Sequence, residues 1–115
     1  MMDDVPTFDV RCDVHDGVAV VTASGEVDLA SSPELREALR RPECQAATVV
    51  LDLRAVTFMD SSGLGVIVGQ NKRAREDGFR FAVAVAGASE VERILQLSGL
   101  ARALDIRATP DELLG

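Results

Sequence analysis

Seven consecutive residues, Met59-Asp60-Ser61-Ser62-Gly63-Leu64-Gly65, bring together one carboxylate, two hydroxyls and two glycines. They fall where an apolar strand pattern gives way to a helical one, so the hydroxyls stand at a helix start. Glycine inside a helix costs about 1 kcal/mol relative to alanine, so this pair calls for a reason. The plainer reading is a capped helix whose glycines allow close packing on a sheet. The functional reading is a surface kept bare so that a partner can approach the backbone, with a serine there as an accessible phosphate acceptor. The residue types alone support both.

Other arrangements able to do chemistry fall short. His15 is the single histidine and sits in a turn signal, so a Ser–His pairing has no signalled third member. One histidine and the two distant cysteines, Cys12 and Cys44, make a poor zinc set. Gly63, Gly65 and Gly69 match neither the dinucleotide fingerprint nor the P-loop, which ends in Gly-Lys-Ser/Thr. Asp52 suggests a phospho-accepting aspartate at a strand end, but an aspartate opening a loop is the plainer reading. Asp3-Asp4 reads as a solvated tail. No cofactor and no metal are implied.

The elements that must position the segment fit in 115 residues, the size of one ordinary domain. Hydrophobic residues are 47% and charged residues 27%, a globular balance that supports a real core. Aromatics are 3%, with no Trp or Tyr, so the core is aliphatic and stacking platforms for bases are lacking. The net charge of −7 argues against direct nucleic-acid binding and against an anionic membrane surface, both of which need a basic face. No apolar run reaches membrane-spanning length, and the acidic N-terminus lacks the layout of a signal peptide. Two cysteines with no CxxC spacing predict reduced thiols, in keeping with the cytoplasm.

Alternation of Phe8, Val10, Cys12 and Val14 with Asp9, Arg11 and Asp13 predicts a half-buried strand. The Asp16-Gly17 turn folds it into a hairpin with a second strand over residues 18–24. Ser31-Ser32-Pro33-Glu34 predicts a helix start, with Ser32 as cap before Pro33, or Ser31 and Glu34 as a capping box. Leu35, Ala38 and Leu39 share its inner face, and Pro42 closes it. Residues 48–53 predict a central strand. A helix from the Asp60–Ser62 segment runs to about Asp77 and stops at Gly78. Another strand spans residues 79–85. Ser89 and Glu92 predict a second capping box, Val91, Ile94 and Leu95 a buried stripe, and Gly99 a stop. Leu104 and Ile106 mark a short last strand, and Thr109-Pro110-Asp111-Glu112 a final helical turn. The order β-β-α-β-α-β-α-β defines a single α/β domain over residues 1–115, with its core at about 7–108 and a mixed, mostly parallel sheet.

With these elements in place, Phe58-Met-Asp-Ser-Ser-Gly-Leu-Gly-Val-Ile-Val-Gly69 resembles the signature segment of bacterial anti-sigma-factor antagonists, the freestanding STAS domains. Gly25-Glu26-Val27-Asp28 resembles that family's Gly-Glu-Leu-Asp element before its first helix. Val49-Val-Leu-Asp-Leu53 and Leu97-Ser-Gly-Leu100 have matching places, so the resemblance covers nearly the whole chain. The Asp-Ser-Ser-Gly-Leu-Gly string is the specific part.

The resemblance implies a STAS-like fold and a binding protein that is a phosphoacceptor substrate, not an enzyme. Its partner is an anti-sigma factor with an ATP-binding serine kinase fold, which holds a sigma factor inactive. The unphosphorylated antagonist captures that partner and frees sigma. Phosphorylation falls on the serine after the aspartate, here Ser61, and ends the capture; a PP2C-type phosphatase restores it. Asp28, Asp60, Ser62, Gly63 and Leu64 join Ser61 on the implied contact surface. Gly63 is expected to remove bulk beside the acceptor, and Asp60 either to orient the Ser61 hydroxyl or to cap the helix. Asp28 either meets the partner or caps the turn that follows it. The chain departs from the family in its C-terminus, where only residues 111–115 follow Pro110, too few for the longer last helix. Two other readings are a STAS component of a transport or signalling assembly, and a small hydrolase with Ser61 or Ser62 as nucleophile, for which His15 and Lys72 are the available bases.

Overall fold

A computed structural model of the chain describes residues 8–113; Asp3-Asp4, read as a solvated tail, lie outside the described residues. Strand β1 (Phe8–His15) turns through Asp16 and Gly17, both at positive φ, into the antiparallel strand β2 (Val18–Val27). Positive φ at both central residues is the two-residue hairpin turn whose twist matches the strands, and Asp-Gly supplies it. The chain continues through α1 (Ser32–Arg40), β3 (Thr48–Met59), α2 (Ser61–Asp77), β4 (Arg80–Ala84), α3 (Glu90–Leu97) and β5 (Asp105–Arg107). The five strands lie in the order β1-β2-β3-β4-β5, and every pair after the hairpin is parallel. Each parallel step therefore crosses over through one helix, as the predicted element order required.

Alternation along the strands divides the sheet into two faces. Ala19, Val21, Ala23, Val49, Leu51, Leu53, Val83 and Val85 pack in one cluster with Leu35 and Leu39 of α1, Val66 and Ile67 of α2, and Val91 and Leu95 of α3. Val18, Val50 and Ala84 form a smaller cluster that Val20 and Leu113 cover. The chain's last described turn, a 3₁₀ helix (Pro110–Leu113), thus takes the place of the predicted helical turn. Gly78, at φ 78, ends α2, and Gly99, at φ 81, follows α3, as predicted. Ser89 Oγ accepts from the Glu92 N–H at 3.1 Å, while Glu92 reaches back to the Ala88 N–H, one residue beyond the Ser89 N–H that a strict capping box engages.

The structure corrects several expectations. Strand β3 does not stop at residue 53 but runs to Met59. It carries two more residues than β2 over their shared length, taken up by irregularities between Thr22 and Ser24 and between Gly25 and Glu26. Such bulges reset the alternation, so residues 54–58 lose the period that marks a strand. Asp52 is consequently not a loop aspartate: it lies within β3, buried, and pairs with Arg54 at 2.9 Å. Neither proposed cap of α1 forms. Ser31 holds the cap position but makes no side-chain cap bond, because its hydroxyl turns back to the Glu26 carbonyl at 2.8 Å. Val14 is half exposed, since it lies at the end of the edge strand, outside the helical cover.

Cys12 and Cys44, read from the sequence as distant thiols, meet across the fold, with Cα atoms 6.1 Å apart. The 3₁₀ turn at Pro42–Cys44 returns the chain after α1 to the edge strand, a meeting that spacing along the sequence does not reveal.

Candidate functional site

Parallel strands point their C-terminal ends to one edge of a sheet, and residues that follow those ends gather there. Val27 and Met59, the last residues of β2 and β3, are register partners. The Asp60 N–H donates to the Val27 carbonyl at 3.2 Å, which ties the two exits together. Asp28 and Asp60 therefore leave the sheet side by side, and Ser61 opens α2 immediately beyond.

Asp60 is the cap of α2. Its Oδ1 accepts from the Ser62 N–H at 2.9 Å and from the Ser62 hydroxyl, and its carbonyl accepts from the Gly63 and Leu64 N–H groups. The hydrogen bond from the Ser62 side chain holds the Asp60 carboxyl below the usual carboxylate range, and the backbone N–H groups add to this. Of the two roles open to Asp60, the geometry shows the cap; Asp60 makes no hydrogen bond to the Ser61 side chain. Ser61 is exposed and its hydroxyl makes no hydrogen bond among the described residues. The two serines thus differ: one hydroxyl is held by Asp60 and the other is available.

Because its folded-state pKa is depressed, Asp60 contributes stability that is present above its unfolded pKa, near 3.8, and is lost as pH falls through the lower folded value. Asp60→Ala is expected to lower the melting temperature at neutral pH. The gap to the wild type should close below about pH 4. Thermal melts of both proteins across that range check this; a gap independent of pH would refute the charged cap.

Asp28 organises its own turn. Its Oδ1 accepts from the Ala30 and Ser31 N–H groups, both at 3.0 Å, and lies 3.1 Å from Ser31 Oγ. The Ser31 hydroxyl in turn accepts from the Asp28 N–H at 2.9 Å. Of the two roles open to Asp28, these bonds make the turn cap. Loss of such a cap typically costs about 1 kcal/mol. Asp28→Ala should therefore show a small drop in urea midpoint with an unchanged denaturant slope.

Gly63 does not lie bare beside the acceptor. It is buried, and a Cβ built on it would fall 2.6 Å from Met59 Cγ and 2.8 Å from Val27 Cγ1. Its missing side chain lets the first turn of α2 sit on the ends of β2 and β3. Gly65 and Gly69 differ, for a Cβ at either would meet nothing within 4 Å. Leu64 is half-buried against the main core. The same edge carries two exposed apolar residues that sequence reasoning missed, Leu29 at 79% exposure and Phe58 at 43%. Nothing in their residue type separates them from core positions. The exposed His15 pairs with Asp16 at the hairpin turn, at the opposite end of β2 from Val27. At about 3.3 Å per residue, the length of β2 holds it some 30 Å from Ser61. Lys72 is eleven residues along α2 from Ser61, roughly 16 Å at the helical rise.

A mostly parallel five-stranded sheet with its crossover helices packed on one face thus presents an exposed serine at the start of its second helix, and comparison with known proteins identifies the family. The STAS domain model matches residues 9–113. An anti-sigma F factor antagonist from Paenibacillus polymyxa is 39% identical over 101 residues, 84% of each chain. An anti-sigma-B factor antagonist from Bacillus subtilis is 37% identical over 89 residues, covering 76% of this chain and 80% of that one. The crystal structure of an anti-sigma factor antagonist from Mycobacterium paratuberculosis superimposes with a TM-score of 0.81 at 28% identity, over 96% of this chain and 94% of that one. The chain belongs to the STAS domain family and groups within it with the anti-sigma-factor antagonists. No helix among the described residues is long and apolar enough to cross a membrane.

Proposed function

We propose that the protein is an anti-sigma-factor antagonist switched by phosphorylation of Ser61. Its unphosphorylated form captures an anti-sigma factor with an ATP-binding serine kinase fold and so releases the sigma factor. The partner then transfers phosphate to Ser61, capture ends, and a PP2C-type phosphatase returns the protein to its active form. This chemistry sets the exchange beside the ATP pool of the cytoplasm. Asp28, Asp60, Ser62 and Leu64 surround the acceptor on the contact surface, and the exposed Leu29 and Phe58 give that surface its apolar part.

The observation that carries the reading is the difference between the two serines. Ser61 presents an exposed, unengaged hydroxyl on the first residue of a firmly capped helix, whereas the Ser62 hydroxyl is held by Asp60. Phosphoryl transfer depends chiefly on positioning, and a helix start held by Asp60 and packed through Gly63 keeps the acceptor still. As the Ser61 oxygen bonds to the γ-phosphorus, the bond from that phosphorus to the β-bridging oxygen breaks. ADP leaves, and the hydroxyl proton passes to a base of the partner. Incubation with the cognate anti-sigma factor and ATP, followed by mass spectrometry, is expected to find one phosphate, on Ser61. Phosphate mainly on Ser62, or none, would overturn the reading.

A further inference from the structure

A second surface lies along α2, beginning one turn beyond the acceptor on the same face of the helix. Gly65 and Gly69, one turn apart and both exposed, leave that stretch of the helix without side chains, and no packing contact requires them to be glycine. Facing them across a cleft are Arg36 and Arg40, also one turn apart, on α1. Leu39, Val66 and Gln70 also line this cleft, whose volume of about 30 Å³ admits little more than one oxygen atom of a ligand. The cleft opens between Arg40, Gly69, Lys72, Arg73 and Glu76 into a hollow of about 460 Å³.

Gln70 lies in this cleft with 4% of its surface exposed. Its Oε1 accepts from Arg73 Nη1 at 3.3 Å, and its Nε2 has no acceptor among the described residues. Exchanging the amide's oxygen and nitrogen would set two donors against each other at Arg73, so the arginine fixes the assignment. A buried N–H group without a protein partner is costly, so its acceptor is a water or an atom of a bound ligand.

The charges around it are positive in a chain whose net charge is −7. Arg36 and Arg40 form no ion pair among the described residues, and Lys72 meets Glu76 only loosely, at 4.0 Å. Arg73 is otherwise engaged, with Asp77, Gln45 and the Leu39 carbonyl. Glu76 is the one carboxylate lining the hollow among the described residues. We propose that the groove between α1 and α2 binds an acidic protein segment, whose carboxylates pair with Arg36, Arg40 and Lys72 while one of its oxygens accepts from Gln70 Nε2. The bare backbone at Gly65 and Gly69 gives that segment room to lie along the helix. The groove adjoins the acceptor, for Gly65 lies one turn from Ser61, but binding there needs neither ATP nor the phosphate on Ser61.

The test is titration of the isotopically labelled protein with a short glutamate-rich peptide, followed through backbone amides and the Gln70 side-chain amide. Saturable shifts are expected at Gln70 Nε2, Gly65 and Gly69, and these should weaken as salt is raised. Arg36→Gln with Arg40→Gln should weaken binding by about tenfold or more, the usual worth of charge-assisted hydrogen bonds. Gly69→Leu keeps every charge and fills the groove, and should weaken binding comparably. Unchanged affinity in Gly69→Leu would mean that charge merely gathers the peptide at the surface, and would overturn the proposal. So would equal binding of a glutamine-rich peptide, equal shifts with inorganic tripolyphosphate, or no saturable shift at Gln70.

Discussion

Ser61→Asp is expected to lose about a hundredfold or more in affinity for the cognate anti-sigma factor, while Ser61→Ala keeps the affinity of the unmodified protein. Placing a like charge against an apposed phosphate or carboxylate costs several kcal/mol, and about 2.7 kcal/mol corresponds to a hundredfold. Alanine adds no charge and, at this exposed position, leaves no hydrogen bond unmade. Phosphoserine adds about −1.5 to −2 charge and should act in the same direction as aspartate, more strongly. Calorimetric titration of the three forms against one partner checks the order. Equal affinities for Ser61→Ala and Ser61→Asp would refute a switch based on charge and fit.

The same substitution should leave the fold intact. A helix N-terminus carries partial positive charge, and an anion there is favourable by some tenths of a kcal/mol up to about 2 kcal/mol. The first turns of α2 are held by the Asp60 cap and by Val66 and Ile67, both buried against the sheet. Negative charge at Ser61 therefore meets a welcoming helix end on its own side and an opposing surface on the partner's. Amide shifts between the modified and unmodified forms should stay near Ser61, Asp28 and the start of α2. Shifts spread across the strands would point instead to a conformational change.

Much of this arrangement was legible in the sequence because local chemistry and tertiary position agree. Asp16-Gly17, Gly78 and Gly99 each mark a backbone conformation that few other residues adopt, and each stands where it was expected. The Asp60-Ser61-Ser62 start of α2 was legible for the same reason, since a carboxylate at a cap position satisfies N–H groups whatever packs nearby. What stayed hidden depends on pairing between distant segments. The extension of β3 through residue 59 is imposed by β2 alongside it, and the bulges erase the period that would announce it. The meeting of Cys12 and Cys44 follows from the path of the chain after α1, not from spacing. The hydroxyl of Ser31 could have capped α1; the Glu26 carbonyl, brought near by the β2–α1 turn, competes for it and wins. Gly63 and Gly65 look alike in sequence, yet one faces the sheet and the other faces outward.

That last difference predicts opposite responses to the same change. Gly63→Ala would place a methyl group 2.6 Å from Met59 Cγ and 2.8 Å from Val27 Cγ1, distances at which one of them must move. Neither moves cheaply, because Met59 is 1% exposed and Val27 fully buried, and a β-branched side chain has few rotamers to turn to. Overpacking of this kind costs about 1–3 kcal/mol, enough to lower the melting temperature by several degrees in a domain of this size. Gly69→Ala meets nothing within 4 Å on an exposed helix surface, so it removes glycine's backbone entropy cost without a clash. It should stabilise by up to about 1 kcal/mol. Urea melts of the two variants should bracket the wild type, one on each side. Equal stabilisation by both would show that the contact at Gly63 relaxes freely, and that α2 is not pinned to the ends of β2 and β3. If the contact does not relax, Gly63→Ala must lift the first turn of α2 away from the sheet and carry Ser61 with it. Phosphorylation of Ser61 by the anti-sigma factor should then slow further than the loss of folded protein explains, because in-line transfer tolerates little displacement of the acceptor. Gly69→Ala, two turns away and facing outward, should be phosphorylated at the wild-type rate.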